Sequence, residues 1–214
     1  MPEQSSRPFR LVFWGDYACF ARPEMKVERV TYPIMTPSAA RGAVEAILWK
    51  PQIVWQIERI DRLKPPKFEQ VRRNEVEVKA SADREAIMVD QVRQQRAALV
   101  LRDVAYVVHA RLRLTAKAGP GDTLAKYVAM FERRARAGQC FQRPCLGSRE
   151  FAAEFRLVEE NEPDPRADGS NEPLGWIFHD FDWSQHPPRP RFFNARLEQG
   201  RMVVPPPGGA ELYV

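Results

Sequence analysis

The stretch VAYVVHARLRLT, residues 104–115, is the most regular part of this 214-residue chain. Side chains in a β-strand point alternately to its two faces, so the pattern predicts a strand here. One face is apolar throughout and consists of Val104, Tyr106, Val108, Ala110, Leu112 and Leu114. The other face starts with Ala105 and Val107 and ends with His109, Arg111 and Arg113. The far half of the strand is therefore expected to present these last three side chains together.

Two helices are predicted, one before this strand and one after it. The first is expected to begin at Thr36, a capping residue followed by proline, and to end near Lys50, because another proline follows. The second is expected to begin at Asp122 or Thr123 and to end before Gly138. The apolar positions at helical spacing are Ala40, Ala43, Val44 and Ile47 in the first helix and Leu124, Val128, Phe131 and Ala135 in the second.

Shorter alternating stretches predict the remaining strands. They are residues 9–13, with a break at 15–16 and a continuation or bulge over 17–21, residues 53–58, a hairpin within 68–78 and a short strand over 150–156. Residues 80–96 are charged and weakly patterned, which predicts a loop or irregular insertion. The order is strand, helix, strand, hairpin insertion, strand, helix, strand. It predicts an α+β, ferredoxin-like (RRM-like) domain, a fold that RNA-binding proteins use often.

Composition changes after this domain. Residues 1–160 are predicted to form the ferredoxin-like domain, and residues 161–173, rich in Pro, Asp and Gly, an acidic linker. Residues 174–214 are predicted to form a small antiparallel β appendage. Its expected strands are residues 176–183, 191–197 and 201–204, with a hairpin turn at 198–200.

Charge is distributed unevenly along this basic chain, which has a net charge of +5 and a pI of about 9.3. Residues 111–149 contain nine Lys or Arg against two acidic residues, and residues 159–185 contain eight acidic residues against one Arg. This contrast suggests a surface that binds a polyanion and a solvated acidic connector. The alternative is that both runs are ordinary solvated faces.

Several classes of protein are disfavoured. The start of the chain lacks the pattern of a signal peptide, and the longest apolar runs are too short for a transmembrane helix, so no membrane association is expected. Three cysteines, an odd count, suit a reducing cytoplasm. Phosphate-binding and dinucleotide-binding glycine motifs are missing, and the three histidines are scattered. Neither a metal nor a cofactor is predicted.

The strongest local constellation surrounds the second helix. Lys126 and Tyr127 lie near its start, and arginines follow on its last turns and in the glycine-bounded loop after it: Arg133, Arg134, Arg136, Arg143 and Arg149. Arginines beside glycine-rich backbone suit phosphate oxygens. The alternative is a solvated helix face followed by an ordinary loop. The spacing of Tyr127 from Leu124 and Phe131 also fits a core residue.

Six stretches carry a family resemblance. They are WGDYACF (14–20), TPSAARG (36–42), WKP (49–51), RRNE (72–75), RDVAY (102–106) and LGSREF (146–151). In this order they resemble motifs of the CRISPR-associated Cas5 family of the type I-C (Dvulg) system, one of the RAMP proteins. The resemblance implies a ferredoxin-like domain with a β extension. It also implies processing of precursor CRISPR RNA at the repeat hairpin and a place in the Cascade complex, holding the 5′ handle of the RNA.

The resemblance also implies site residues. Cleaving members of the family use a tyrosine late in the first helix and an adjacent lysine and histidine near the start of the second. Lys126 matches the lysine, whereas Tyr127 stands where histidine is expected and Leu48 where tyrosine is expected. Lys126 and Tyr127 are accordingly the predicted catalytic residues. The predicted RNA-binding residues are Arg72, Arg73, His109, Arg111, Arg113, Arg133, Arg134, Arg136, Arg143 and Arg149.

Three functions stay open at this point. The first is a metal-independent endoribonuclease that cuts CRISPR repeat RNA through a 2′,3′-cyclic phosphate and stays bound in a type I-C Cascade complex. The second is a Cascade subunit that only binds the 5′ handle. The third is a general RNA- or DNA-binding protein. The partners expected are CRISPR repeat RNA and other type I-C Cascade subunits, and duplex DNA is kept as a further candidate.

Overall fold

The structure, a computed structural model, describes residues 5–25, 27–79, 81–82 and 86–214. In chain order its elements are β1 (Phe9–Ala18), β2 (Arg29–Val30), α1 (Pro37–Ile47), β3 (Ile53–Arg62), β4 (Lys67–Val76), α2 (Val89–Val92), β5 (Arg93–Leu114), α3 (Leu124–Arg136), β6 (Glu154–Val158), β7 (Glu172–Asp182), β8 (Arg189–Leu197) and β9 (Arg201–Val203). The chain therefore combines helices with a mostly antiparallel set of strands, as the sequence predicts.

The main sheet is built around β5. Its strand order is β6-β1-β5-β3-β9, each neighbouring pair is antiparallel, and β2 and β4 pair with the first half of β5. The expected break in the first strand is wrong, because β1 keeps its pairing with β5 through Gly15 and Tyr17. A register shift in β3 lies between Ile57 and Arg59.

The first half of β5 and β4 form a two-stranded arm. It corrects two expectations: the hairpin pairs residues 67–76 with 93–102 instead of folding within 68–78, and residues 80–96 contain α2 and the start of a strand. Residues 80 and 83–85 of that stretch lie outside the described residues. Most side chains of the arm are half-buried or exposed. Its strands therefore lack the alternation of apolar and polar residues by which a strand is recognised in a sequence.

Both long helices begin at the predicted caps. The Thr36 side chain accepts a hydrogen bond from Ala39 N, and the Thr123 side chain accepts one from Lys126 N. The buried residues of α3 are Tyr127, Phe131 and Ala135, whereas Leu124 and Val128 of the expected stripe are only partly buried.

Aromatic rings connect α3 to the sheet. The ring centroid of Phe131 lies 4.9 Å from that of Phe9 on β1 and 4.5 Å from that of Trp55 on β3. Such ring pairs contribute about 0.5–1.5 kcal/mol beyond the area that they bury. The middle of α3 is thereby packed against the apolar face of the sheet.

The C-terminal region divides between two sheets. β7 and β8 form a separate two-stranded sheet, whereas β9 pairs with β3 in the main sheet. The third strand expected in the appendage is thus part of the main sheet. The predicted turn is present, since Gln199 and Gly200 have φ of 52° and 76° and Glu198 and Arg201 bond to each other. The short strand expected over 150–156 begins later, at Glu154. Among the described residues, no helix has the length and apolar character needed to cross a membrane.

Candidate functional site

The start of α3 carries a hydrogen-bonded group of three side chains. The Tyr127 hydroxyl donates to Asp122 Oδ1 at 2.5 Å, and Lys126 Nζ lies 3.1 Å from the same oxygen. Gly119 N donates to the other carboxylate oxygen at 3.0 Å. These donors, with the tyrosine hydroxyl first among them, lower the pKa of Asp122 to about 2. The carboxylate is therefore ionised at neutral pH and holds Lys126 and Tyr127 in place.

Tyr127 combines a core ring with a polar tip. Its side chain is buried, and the Lys126 ammonium lies 5.2 Å from the centroid of its ring. The hydrogen bond to Asp122 raises the pKa of the tyrosine. A phenol held in this state does not act as a base at neutral pH, since even an unperturbed tyrosine has a pKa of about 10. The ring is part of the core, as the spacing of Tyr127 from Leu124 and Phe131 allowed. The hydroxyl donates a hydrogen bond to Asp122.

Lys126 is the exposed member of the group. About half of its side chain is accessible, and its contacts through Nζ are with the Asp122 carboxylate and the Gly121 carbonyl oxygen, the latter at 3.4 Å. An ammonium on a flexible stem can exchange such a surface partner for a phosphate at small energetic cost.

The end of α1 offers no equivalent of the family's tyrosine. Leu48 is fully buried, and its carbonyl oxygen accepts a hydrogen bond of 2.8 Å from Trp55 Nε1. The next residue, Trp49, is 58% exposed. Leu48 is therefore a packing residue. The exposed side chain just after the end of α1 is the indole of Trp49.

Many of the predicted RNA-binding arginines already have acidic partners. These pairs are Arg111 Nε with Glu58 at 2.6 Å, Arg136 with Glu132 at 3.1 Å and Glu159 at 2.9 Å, Arg143 with Glu154, and Arg73 with Glu150. Each pair joins segments that are distant in sequence or spans a helical turn. To bind a phosphate, such an arginine has to exchange or share its carboxylate.

The other predicted arginines differ in their roles. Arg134 donates to the Ile47 carbonyl oxygen at 2.9 Å and so caps the end of α1, and Arg113 donates to Gln56 Oε1 at 3.1 Å. Within the part of the chain that the structure describes, Arg72, Arg133 and Arg149 form no ion pair. All three are exposed, which leaves them available to an external anion.

His109 lies in a buried polar cluster that the sequence did not predict. Its Nε2 is 3.0 Å from Asp61 Oδ2 and 2.8 Å from an Arg59 guanidinium nitrogen. A carboxylate oxygen of the exposed Asp164 lies within 4.8 Å of the potential metal-ligand atoms of His109 and Asp61. The scattered positions of the histidines in the sequence do not indicate this cluster, because β3, β5 and the acidic connector bring its residues together only in the folded chain. The same guanidinium nitrogen also bonds Asp61 Oδ2 at 2.9 Å and Asp164 Oδ2 at 3.0 Å. A metal ion would fit here only if Arg59 moved away.

The acidic connector, residues 161–173, is exposed or half-buried along its length, and several of its carboxylates pair with arginines of the sheet. Asp164 pairs with Arg10 at 2.6 Å, and Asp168 pairs with the fully buried Arg62, also at 2.6 Å. The connector carboxylates therefore neutralise arginines of β1 and β3. The charge run predicts a solvated connector, and most of its residues are exposed, but the run does not reveal these distant partners.

The loop after α3 fits closely against the end of β1. Cys19 N donates to the Leu146 carbonyl oxygen at 3.0 Å, and a Cβ at Gly147 would lie 2.0 Å from the Cys19 carbonyl oxygen. Gly147 also has a φ of +86°, so no other residue fits without displacing the backbone. The stretch LGSREF is thereby fixed beside WGDYACF, and Arg149 is exposed at this junction.

A family model decides the classification of the chain. The model described as CRISPR-associated protein, Cas5, of the Cas5d type matches residues 9–205. The chain belongs to the Cas5d family. This match spans the main sheet, both long helices and the β7–β8 sheet, and thus the whole arrangement described above.

Curated members of the Cas5d family are similar over nearly their full length. A protein of Mannheimia succiniciproducens named CRISPR pre-crRNA endoribonuclease Cas5d is 50% identical over 213 residues, which cover 92% of this chain and 94% of that protein. A protein of the same name from Thermus thermophilus is 42% identical over 218 residues, which cover 94% of this chain and 92% of that protein.

Solved structures share the fold of this Cas5d chain. One titled as a CRISPR-associated protein has a TM-score of 0.77 at 20% identity and covers 100% of both chains. A functionally uncharacterized protein from Streptococcus mutans has a TM-score of 0.74 at 20% identity, and the match covers 99% of this chain and 100% of that protein. A chain of a CRISPR RNA-guided surveillance complex has a TM-score of 0.52 at 13% identity, and the match covers 93% of this chain and 89% of that one.

The sequence missed Asp122, Asp61 and Arg59 as site residues. A local signal for Asp122 existed, since an acidic residue four positions before a lysine at a helix start predicts a side-chain pair. No local signal could join Asp61 to His109, because 48 positions separate them and only the pairing of β3 with β5 brings them together.

Proposed function

We propose that this protein binds CRISPR repeat RNA, cleaves it to release crRNA and stays with the product as a subunit of a type I-C Cascade complex. One observation carries the proposal: two proteins named as CRISPR pre-crRNA endoribonucleases are 50% and 42% identical to this chain and align with more than nine-tenths of it. The fold proposed for the RNA-binding domain is ferredoxin-like. Its support is the antiparallel order β6-β1-β5-β3, with α1 and α3 as the connecting helices.

The proposed reaction is attack of a ribose 2′-oxygen on the adjacent phosphorus. The bond to the 5′-oxygen of the next nucleotide breaks, which leaves a 2′,3′-cyclic phosphate and a 5′-hydroxyl. The phosphorane gains negative charge, and Lys126 is the side chain at α3 that can stabilise it. Asp122 positions Lys126 through the 3.1 Å contact, and Tyr127 in turn positions Asp122. The chain therefore contributes charge and orientation, without a metal ion.

Proton transfer is the weak point of this site. Asp122 has a pKa of about 2 and Tyr127 a raised one, so neither is poised to exchange a proton near neutral pH. We expect slower cleavage than a histidine at position 127 would support. This same observation favours the second candidate, a Cascade subunit that binds the 5′ handle and does not cut.

The proposed RNA surface includes the arginines left unpaired by the described residues, Arg72, Arg133 and Arg149. Arg73, Arg111, Arg136 and Arg143 join it when RNA phosphates compete for them. His109 is buried against Asp61 and Arg59, so its predicted role is indirect, through the position of Arg59. Other type I-C subunits, and duplex DNA, are proposed partners of the assembled complex.

Cleavage of repeat RNA in EDTA tests the proposal. Purified protein is incubated with a labelled repeat RNA, and the ends of the products are identified. We expect a cyclic phosphate and a 5′-hydroxyl, no cleavage of unrelated hairpins, and binding without cleavage when the reactive ribose is 2′-deoxy. Tight binding without any cleavage would favour the non-catalytic subunit. Activity that EDTA removes and magnesium restores would contradict the metal-independent mechanism.

A further inference from the structure

A cavity of about 580 Å³ lies between the end of β7 and the main sheet. Trp55 of β3 and Arg41 of α1 contribute to it from the main domain, and Phe181, Trp183 and residues 207–209 contribute from the C-terminal region. Its volume falls within the range of sites that bind small molecules. None of the predicted catalytic or RNA-binding residues lines it.

The charged side chains of this cavity neutralise one another. Arg41 Nε lies 2.7 Å from Asp180 Oδ2, and Arg191 pairs with Asp182 at 2.7 Å. Burial lowers the pKa of His179, which keeps this imidazole neutral at physiological pH. Two cations and two anions thus leave a lining without net charge. A phosphate group would gain little electrostatic attraction from such a site. An uncharged aromatic ring with polar edges fits it better, because its binding requires no opposite charge.

Aromatic surface is available at the mouth of the cavity. Trp183 is 69% exposed, and its ring meets that of Phe181 edge to face with centroids 5.7 Å apart. Beside them, the Ser184 hydroxyl and the Asp182 carboxylate are hydrogen-bonded at 2.6 Å. Unpaired RNA bases are recognised by aromatic stacking together with hydrogen bonds at the base edge.

We propose that this cavity holds one unpaired base of the bound RNA, stacked on Trp183, with its polar edge toward Asp182 and Ser184. The proposal rests on the proposed function, because it requires that repeat RNA is bound. It adds a contact that reads a base, whereas the arginines described above bind phosphates. The position of the cavity at the β7–β8 sheet gives that sheet a direct part in RNA recognition.

A double-mutant cycle between the protein and the RNA tests this inference. Repeat RNAs that carry one abasic site at each unpaired position in turn are titrated against the wild type and Trp183→Ala. At one position, we expect the abasic site to weaken wild-type binding by about 5- to 150-fold, the range for one base–aromatic stack. The same abasic RNA should bind Trp183→Ala no more weakly than intact RNA does.

Two further variants make the cycle specific. Trp183→Phe keeps an aromatic ring and should restore most of the affinity. Trp176→Ala removes a second exposed tryptophan, located in β7, which packs edge to face on Tyr213 outside this cavity. This variant should bind like the wild type. Melting temperatures of all variants are measured in parallel, so that unfolding is recognised.

The outcomes separate this inference from the proposed function. If the wild type binds repeat RNA but abasic and Trp183→Ala losses add at every position, the cavity does not hold a base. If Trp183→Ala binds RNA normally and only fails to assemble with other Cascade subunits, the cavity receives a protein segment and the inference is overturned. If the wild type binds no repeat RNA, the proposed function and the inference both fail.

Discussion

Replacing Lys126 with alanine is expected to remove most cleavage while leaving the fold intact. The side chain is 47% exposed, and its one ion pair, with Asp122, lies on the surface. Truncation therefore opens no cavity in the core. Surface pairs of this kind contribute little to stability, so we expect the melting temperature to change by no more than about 2 °C.

The effect on the rate should be much larger than the effect on stability. Loss of a group that stabilises transition-state charge typically lowers the rate by about 10²- to 10³-fold. Binding should lose a single phosphate contact, which reduces the slope of log affinity against log salt by about 0.7 on single-stranded RNA. Lys126→Ala should therefore bind repeat RNA with slightly lower affinity and cut it very slowly.

Single-turnover cleavage of labelled repeat RNA in EDTA, with protein in excess, measures this rate without interference from product release. Lys117→Ala is the matched control, since it removes an equal charge from an exposed lysine upstream of the same helix. Its rate should equal that of the wild type. If Lys126→Ala cuts within about threefold of the wild type, too small a change for a lost oxyanion-stabilising group, the assignment of the site is refuted. His109 and Arg111 on β5 would then be the next candidates.

Further predictions concern neighbouring residues. Tyr127→Phe keeps the buried ring and removes the hydroxyl that holds Asp122, so cleavage should fall by less than about tenfold, and a larger fall would mean that the hydroxyl contacts RNA. Asp61→Asn should destabilise the protein at pH 7 by about 2–3 kcal/mol in urea titrations, because Arg59 and His109 lose a charged partner. The pKa of Asp61 is lowered in the folded protein. The wild type should therefore exceed Asp61→Asn in free energy of unfolding by the full amount at neutral pH, and this difference should vanish as the pH falls through the lowered pKa. A difference that does not change with pH would contradict this. Arg133→Ala combined with Arg149→Ala should reduce the salt slope by about 1.4–1.8 if both contact phosphates, and an unchanged slope would locate the RNA elsewhere.

The local parts of the fold were predictable because they depend on neighbours in sequence. Thr36 and Thr123 cap their helices as expected, since a capping oxygen reaches an amide only three residues ahead. The alternation of residues 104–115 predicted a strand correctly, because its apolar face packs on the core throughout. The arm formed by β4 and β5 was misassigned, because a strand with two accessible faces has no such alternation.

The candidate site was predictable only in part. The sequence predicts Lys126 and Tyr127 as site residues, but it indicates Asp122, the carboxylate that contacts both, only as a helix cap. The contact of Arg134 with the Ile47 carbonyl oxygen was not predicted either, because it joins residues 87 positions apart. These assignments depend on which carboxylate or carbonyl a long side chain reaches, and a charge run does not contain that information.

The sequence by itself determined the two long helices, the central strand, the excess of basic residues around α3 and the family motifs, because each depends on residue types at short spacing. Only the tertiary structure decided which of these basic side chains have acidic partners. It paired Arg111 with Glu58 and Arg136 with Glu159, and it left Arg133 and Arg149 exposed. The physical reason is that electrostatic energy depends on distance in space, and strand pairing sets that distance between residues far apart in the chain.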